Sequence, residues 1–597
     1  MRRFLPILLT VLTALPSAAQ YNDNRALQKN FEQASFFFEP GYLNPYGLEG
    51  FGPGVVGLIT DPLLDVRLSP SLAHRDSTAY VYVDFRSTRE RNTGTYYYPA
   101  YRGIAYDQAA LIYYPPYQVS TYKPAEPVLS AAFLARPSPD RLPGLTAGFT
   151  YQLTTDNQDY YEVPNNLYRG LDLAQAAEQS GFPIVDVYGG SDHMRTMGHF
   201  PSVFASYRLD SRWTAGARLG FAAFDRDGEF GNFYNPVQPV GSVYPVSVNS
   251  QFDTRSQRYR HTDLSLGIHG ALDARTVVGG SIGFLSGDAD QFQDGASQYR
   301  YDYGGDSTNT SRYLAGSVNQ ADLSRSGSAT YGSAFLRRTI DENRVFTASW
   351  RGQWQSLELA GTTLTADSSY SLGRSRHADY RYHHEYGGHS FDERSGTGTG
   401  TGTDHRVSLG LEWRVAPKDR LMIGVVGTRT TQATDTREAV SSARSMMWHN
   451  DWHNGETGQT DTYSESLSEV KEVEWTLATR TASIQLPVML WHEFNDKFEL
   501  VAGFMRVMED RRVTDETVAL IDSREHILNG SSTVRRNFGE RYREPTQYRS
   551  IVESGAILGL TASPSPNFDV RLLVSPRWSN EYSTRRTQWW LGFQLKP

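Results

Sequence analysis

The chain has no cysteine among its 597 residues. That excludes thiolate catalysis, thiolate metal sites and any disulfide framework, and it leaves no cysteine for lipid attachment behind an export leader. Beyond residue 19 no stretch approaches the roughly 18 apolar residues that a membrane helix needs, so any crossing of a bilayer must be made by strands. The formal charge of -8 is spread along the chain with no basic block. The electrostatic footprint of a nucleic-acid binder is therefore missing, and nucleic acid is not expected as a partner.

What is present begins with an N-terminus unlike the rest. Arg2 and Arg3 precede an apolar stretch from Phe4 to Leu15, interrupted by Pro6, and small residues stand at Ser17 and Ala19 after Pro16. This is the pattern of a secretory signal, residues 1–19, cut before Gln20. The composition, with 36 Tyr, 28 Phe, 11 Trp and 52 Gly against 9 Met, favours strands and turns over helices.

Hydrophobicity alternates with a period of two. Val407, Leu409, Leu411, Trp413 and Val415 are apolar while Arg406, Ser408, Gly410, Glu412 and Arg414 are polar or small. The same alternation runs through Val81, Val83 and Phe85, through Ala215, Ala217, Leu219 and Phe221, and through Phe568, Val570, Leu572 and Val574. Such a strand has one face suited to hydrocarbon and one that is not.

These strands pair across short polar turns near Asp140, Asp210, Asp273, Asp341, Asp419, Asp496 and Asn567, whose centres lie 63 to 78 residues apart. Between successive hairpins lie long polar connections, such as 155–200, 225–260 and 360–404. Short turns on one side and long loops on the other are the mark of an outer-membrane barrel, whereas a propeller of this repeat length needs four closely connected strands per repeat. Seven hairpins, a first strand from Ala79 and a last strand ending at Lys596 make sixteen strands, within a range of fourteen to eighteen. Pro487 is expected at a bulge or a strand start. The expected fold is an all-β, closed antiparallel transmembrane barrel over 79–597, with 20–78 as a preceding segment. Trp213, Phe346, Trp413, Trp491, Phe494, Phe498 and Phe568 sit near the short turns and are expected to form the periplasmic aromatic girdle.

The segment Gly47-Leu48-Glu49-Gly50-Phe51-Gly52-Pro53-Gly54, followed by Thr60-Asp61-Pro62 and Ser69-Pro70-Ser71, resembles the N-terminal region of the long-chain fatty-acid (hydrophobic compound) transporter family. Ser69-Pro70-Ser71 stands where that family has Asn-Pro-Ala. The resemblance implies an outer-membrane channel or transporter for a small, hydrophobic solute, with 20–78 as a lumenal plug. Ile484-Gln485-Leu486-Pro487-Val488 is similar to a strand motif of related Bacteroidota-type outer-membrane barrels. The last strand, with Trp589, Leu591, Phe593 and Leu595 alternating, resembles the signal read by the barrel-assembly machinery, although it ends in Lys596-Pro597 instead of an aromatic residue. Outer-membrane lipid of a Gram-negative cell is the expected surrounding.

Chemistry-bearing clusters are few. His377, His383, His384 and His389 with Asp379 and Glu385, and the echo at His449 and His453, have the right residue types for zinc or copper but no metal-motif spacing, and are read as solvated loop residues. Asp288, Asp290 and Asp294 lack the spacing of a calcium loop. The Gly-Thr repeat at 396–403 is expected to be a flexible connection. No nucleophile elbow, Ser-x-x-Lys or zinc-protease helix is found, so no enzyme, cofactor or metal is expected. Inward positions of the alternation carry Asp84, Arg86, Arg218, Arg351, Glu412, Arg414, Glu499, Glu553 and Arg571, the candidate lumen-lining residues. The other reading of the chain is a surface-exposed interaction barrel that binds a partner protein or glycan through its long loops.

Overall fold

In the computed structural model the described residues are 56–59, 62–75, 79–92, 101–104, 111–114, 127–136, 142, 144–162, 185–237, 246–304, 309–377, 380–537, 539–543, 545–579 and 584–596. The signal expected at 1–19, residues 20–55 and the turn residue Asp140 lie outside them. Among the described residues no helix is long and apolar enough to cross a membrane.

Alternating side chains build strands, and the strands pair with their chain neighbours. They are β1 (Tyr80–Asn92), β2 (Tyr101–Ile104), β3 (Leu111–Tyr114), β4 (Pro127–Ala135), β5 (Leu145–Glu162), β6 (Val185–Arg208), β7 (Trp213–Val237), β8 (Val246–Ala271), β9 (Thr276–Gly304) and β10 (Asn309–Asp341). They continue as β11 (Arg344–Arg376), β12 (Tyr380–Ala416), β13 (Asp419–Asn454), β14 (Thr457–Asn495), β15 (Phe498–Leu528), β16 (Ser531–Asn537), β17 (Glu540–Arg543), β18 (Gln547–Ser565), β19 (Phe568–Ser579) and β20 (Thr584–Leu595). Every pairing is antiparallel. β16, β17 and β18 each lie against β15 and together fill one strand position. β1 pairs with β4 on one side and with β20 on the other, in register from Val81 opposite Leu595 to Asn92 opposite Thr584. The ring therefore closes with sixteen strand positions, while β2 and β3 form a separate hairpin. Closure leaves no sheet edge, the condition for a sheet to stand in hydrocarbon.

The outer face near the short turns is an apolar band: Phe85, Phe149, Leu264, Ile282, Val407, Ile423, Leu490, Leu572 and Trp589 are all exposed there. In the expected girdle, Trp413, Phe494 and Phe498 are exposed. Trp491 is not part of it. It falls on the opposite parity from Leu490 and is buried inside, 1% exposed, with the Arg420 guanidinium 4.2 Å from its ring centroid.

The short turns repeat one device. Asp210 Oδ1 accepts the Arg212 and Trp213 amides at 2.6 and 2.7 Å, Asp273 Oδ1 accepts that of Arg275 at 2.7 Å, and Asn495 Oδ1 accepts those of Lys497 and Phe498 at 2.9 and 3.1 Å. A side-chain acceptor thus satisfies the amides that the reversal leaves unpaired. Each of these hydrogen bonds holds the Asp210 and Asp273 carboxyls below the usual carboxylate range.

On the far side, most of what the sequence suggested as long loop is strand. β14 runs 39 residues and β12 runs 37, whereas about ten suffice to cross the hydrocarbon. The far-side reversals include the two residues between β13 and β14 and the two between β15 and β16. The physical reason is that Thr, Ser, Tyr and Val in these stretches still alternate, and a paired neighbour satisfies their backbone. The tract 396–403 is likewise no flexible connection: it lies within β12, paired with β11 from Thr397 opposite Ala360 and with β13 from Thr397 opposite Arg437. Threonine alternating with glycine is itself a period-two pattern. Pro487 marks neither a bulge nor a strand start. It stays in register opposite Met505, and β13 resumes its pairing with β14 at Val426 opposite Gln485 without a shift.

Candidate functional site

Near the short turns, residues 56–59 and 62–75 pack against the inner wall of the barrel. Residues Pro62–Leu68 form a short helix, α1, and Pro70–Arg75 a 3-10 turn. Leu58, Ile59, Leu64, Leu72 and Ala73 are at most 2% exposed. Apolar packing receives them around much of the ring, and on β1, β4 and β6 Leu63, Val66 and Ala73 pack with Tyr82, Ala132, Leu134 and Phe204.

On one arc the wall is apolar. Leu58 and Ile59 pack in one cluster with Met422, Val426, Met489, Trp491, Val501, Met505, Ile557, Leu573 and Trp590. These strands carry apolar residues on the exposed outer face and meet leucine and isoleucine inside, so their sequence carries neighbouring apolar residues such as Leu490-Trp491, Leu572-Leu573 and Trp589-Trp590. Burial on both faces gives such runs in place of strict alternation.

On the arc of β7 to β10 small and polar residues join a further apolar patch, in which Val56, Leu68 and Leu72 pack with Phe335. Arg337 donates twice to Asp65, at 3.1 Å each, and both side chains are buried. The Leu68 carbonyl accepts Ser281 Oγ at 2.8 Å and Ser333 Oγ. Ser69 Oγ donates to the Gly280 carbonyl at 3.2 Å, Ser69 and Ser71 share a 2.7 Å hydrogen bond, and Ser71 meets His269 Nδ1 at 3.0 Å. Close approach is allowed by glycine. A Cβ on Gly267 would stand 2.1 Å from Ser69 Oγ, and one on Gly216 2.5 Å from the Ser71 nitrogen.

The nine candidate lumen residues all fall on the inward parity, and most are paired with one another or with further charges. Arg86 donates to Asp84 at 2.9 and 3.0 Å, and Tyr82 donates to it at 2.9 Å. Arg218 and Tyr331 both donate to Asp263, three buried side chains from β7, β8 and β10. Arg351 stands 5.8 Å from the Tyr331 ring centroid. Glu412 accepts Arg420 at 3.3 Å, Glu553 accepts Arg577 at 3.2 Å, and Arg571 lies 3.9 Å from Asp569, which also holds Lys596 at 3.0 Å. Glu499 is in electrostatic reach of Arg420 and Arg571. Arg414 shares the inward face of Glu412 at the turn end of β12, exposed.

Sequence reasoning missed Asp65, Arg337, Asp263 and Tyr331. The alternation of β10 and β8 put the last three on the inward face, but nothing local to any of them says which distant residue it meets. Ser69 and Ser71 were singled out, for their motif and not for the wall contacts they make. The histidines expected in loops lie on strand or beside it: His383, His384 and His389 on β12, His449 and His453 on β13, and His377 just after β11. Among the described residues no three His, Asp or Glu side chains are grouped as a metal set. Asp288, Asp290 and Asp294 sit along β9, Asp294 accepting Gln320 Nε2 at 3.0 Å.

No protein-family model matches the chain, and no curated protein matches it. Among solved structures it is similar to the Ralstonia pickettii toluene transporter TbuX, at 9% identity over 92% of this chain and 99% of that one, with a TM-score of 0.32. A Pseudomonas aeruginosa FadL homologue matches at 9% identity, 94% and 100% coverage, TM-score 0.33. The Pseudomonas putida toluene transporter TodX matches at 11% identity, 69% and 94% coverage, TM-score 0.25. The barrel topology given above stands on the strand pairing of this chain itself.

Proposed function

We propose that the chain spans a Gram-negative outer membrane and conducts a small solute, with residues 56–75 as its lumenal plug. The observation that carries this reading is a closed barrel with an apolar outer band, against whose inner wall residues 56–59 and 62–75 pack near the short turns. That segment is held by apolar packing around much of the ring and, on the arc of β7 to β10, also by the Asp65–Arg337 ion pair and serine hydrogen bonds. The TbuX, TodX and FadL-homologue likenesses are in keeping with a transport barrel. On this reading lipid covers the apolar band and the assembly machinery engages β20, whose outward Trp589, Leu591 and Leu595 are exposed.

The test is solute entry into proteoliposomes, with glucose, toluene and oleate as probes. Deletion of residues 20–78 is expected to raise entry of at least one. Entry unchanged by the deletion removes the plug from the reading, and liposomes closed to all three remove conduction.

A further inference from the structure

The inner wall at the far end of the barrel has a chemistry different from both the plug site and the apolar band. Parity carried up the unshifted registers of β9 to β14 turns Tyr299, Tyr313, Tyr386, Trp448, Trp452 and Tyr463 inward. They stand opposite or beside one another across neighbouring strands. Tyr386 is paired with Trp448 and Trp448 with Tyr463, the last two rings stacked at 5.8 Å between centroids with 14° between planes. The Tyr299 and Tyr313 rings are 5.7 Å apart. A cavity of about 280 Å³ is lined by these two tyrosines, Tyr386, Asp367, Arg444 and serine hydroxyls such as Ser317. The remaining inward positions at this level are mostly Ser, Thr, Asn, Gln and Gly, the aliphatic exceptions being Ala315, Met446 and Leu467 and the titratable ones including His384, Asp461 and Glu465, which accepts the Tyr463 hydroxyl at 2.7 Å.

Aromatic faces interspersed with hydroxyls, carboxylates and a guanidinium match a ligand whose ring has a C–H face and a hydroxyl rim. The face stacks on tyrosine or tryptophan, and the rim meets Asp367, Arg444 and the serines. A hydrocarbon in the same space would strip water from a carboxylate, a guanidinium and several hydroxyls and return no hydrogen bond, which is unfavourable for each group. We infer that the distal end of the lumen, built on the aromatic wall of β9 to β14, is a binding site for neutral saccharide chains. The cavity takes one sugar unit and the Trp448–Tyr463 and Trp452 surfaces take its neighbours along the chain. This inference borrows from the proposed function only the outward orientation of the far end, and binding does not depend on conduction.

The experiment uses the full-length protein in detergent, with maltohexaose, cellohexaose and xylohexaose titrated in turn and followed by tryptophan fluorescence and calorimetry. At least one is expected to bind, with affinity weakened about three- to tenfold in Trp448→Ala and Tyr313→Ala and largely kept in Trp448→Phe, which retains a ring. Folding of each variant is read from its heat-dependent electrophoretic mobility. The inference is overturned if none of the three binds, if the Ala and Phe variants at Trp448 bind alike, or if toluene displaces the bound saccharide. Saccharide binding by a protein that leaves liposomes closed to all solutes upholds the site and defeats the conduction proposal.

Discussion

Asp65 and Arg337 meet at a distance in sequence of 272 residues, both almost fully enclosed. Removing one partner of such a pair strands a buried charge, at a cost of about 3–5 kcal/mol, whereas removing both relieves much of it. Arg337→Ala is therefore expected to loosen residues 62–75, seen as faster hydrogen exchange there. Adding Asp65→Asn should restore most of the protection, and equal exchange in the single and double variants would count against the pair as the anchor. Gly267 makes a sharper test. Gly267→Val places carbon where Ser69 Oγ stands, so the 3-10 turn must move away from the wall while the barrel, which meets valine well on a strand, stays closed. Expected are rapid exchange at 69–75 and unchanged electrophoretic behaviour of the barrel.

The turns are where single acids act on whole elements. Because backbone amides hold the Asp210 and Asp273 carboxyls below their ordinary value, the stabilisation they supply is complete above an unfolded carboxylate pKa of about 4. It is lost as pH falls through the lower folded value. A double Asp210→Asn, Asp273→Asn variant keeps the acceptor oxygens without the charge. Its melting temperature should fall less than that of the parent between about pH 4 and pH 2; parallel curves would show that the charge is irrelevant. Within β12, the backbone amides of 396–403 are expected to exchange slowly, as members of two ladders; the rapid exchange of a linker would contradict their pairing.

The turns at Asp210, Asp273, Asp341 and Asn495 were legible in the sequence because each carries its own acceptor, and the sixteen strand positions follow from counting them with the three other polar reversals. The extent of the far-side strands was not legible, since Ser, Thr, Asn and Gly serve loops and polar strands alike and only the partner decides. The inward parity of Arg218 or Glu553 was legible; their pairing with Asp263 and Arg577 was not, because pairing across strands needs the register. The apolar arc facing Leu58 left a trace in the doubled Leu572-Leu573 and Trp589-Trp590 that strict alternation does not explain.

At the scale of the whole molecule, the wall of β12 between Tyr382 and the short turn is on the order of 100 Å of strand, at about 3.3 Å per residue. A solute that enters at the far end and leaves past residues 56–75 moves through a long, narrow tube. Diffusive flux through a tube falls in inverse proportion to its length, so the tall wall acts as a resistance in series with the plug. A mouth that binds its solute raises the concentration at the top of that tube and steepens the gradient along it. On the two proposals together, the height of the barrel sets the resistance and a binding entrance sets how long a solute waits at the top of it.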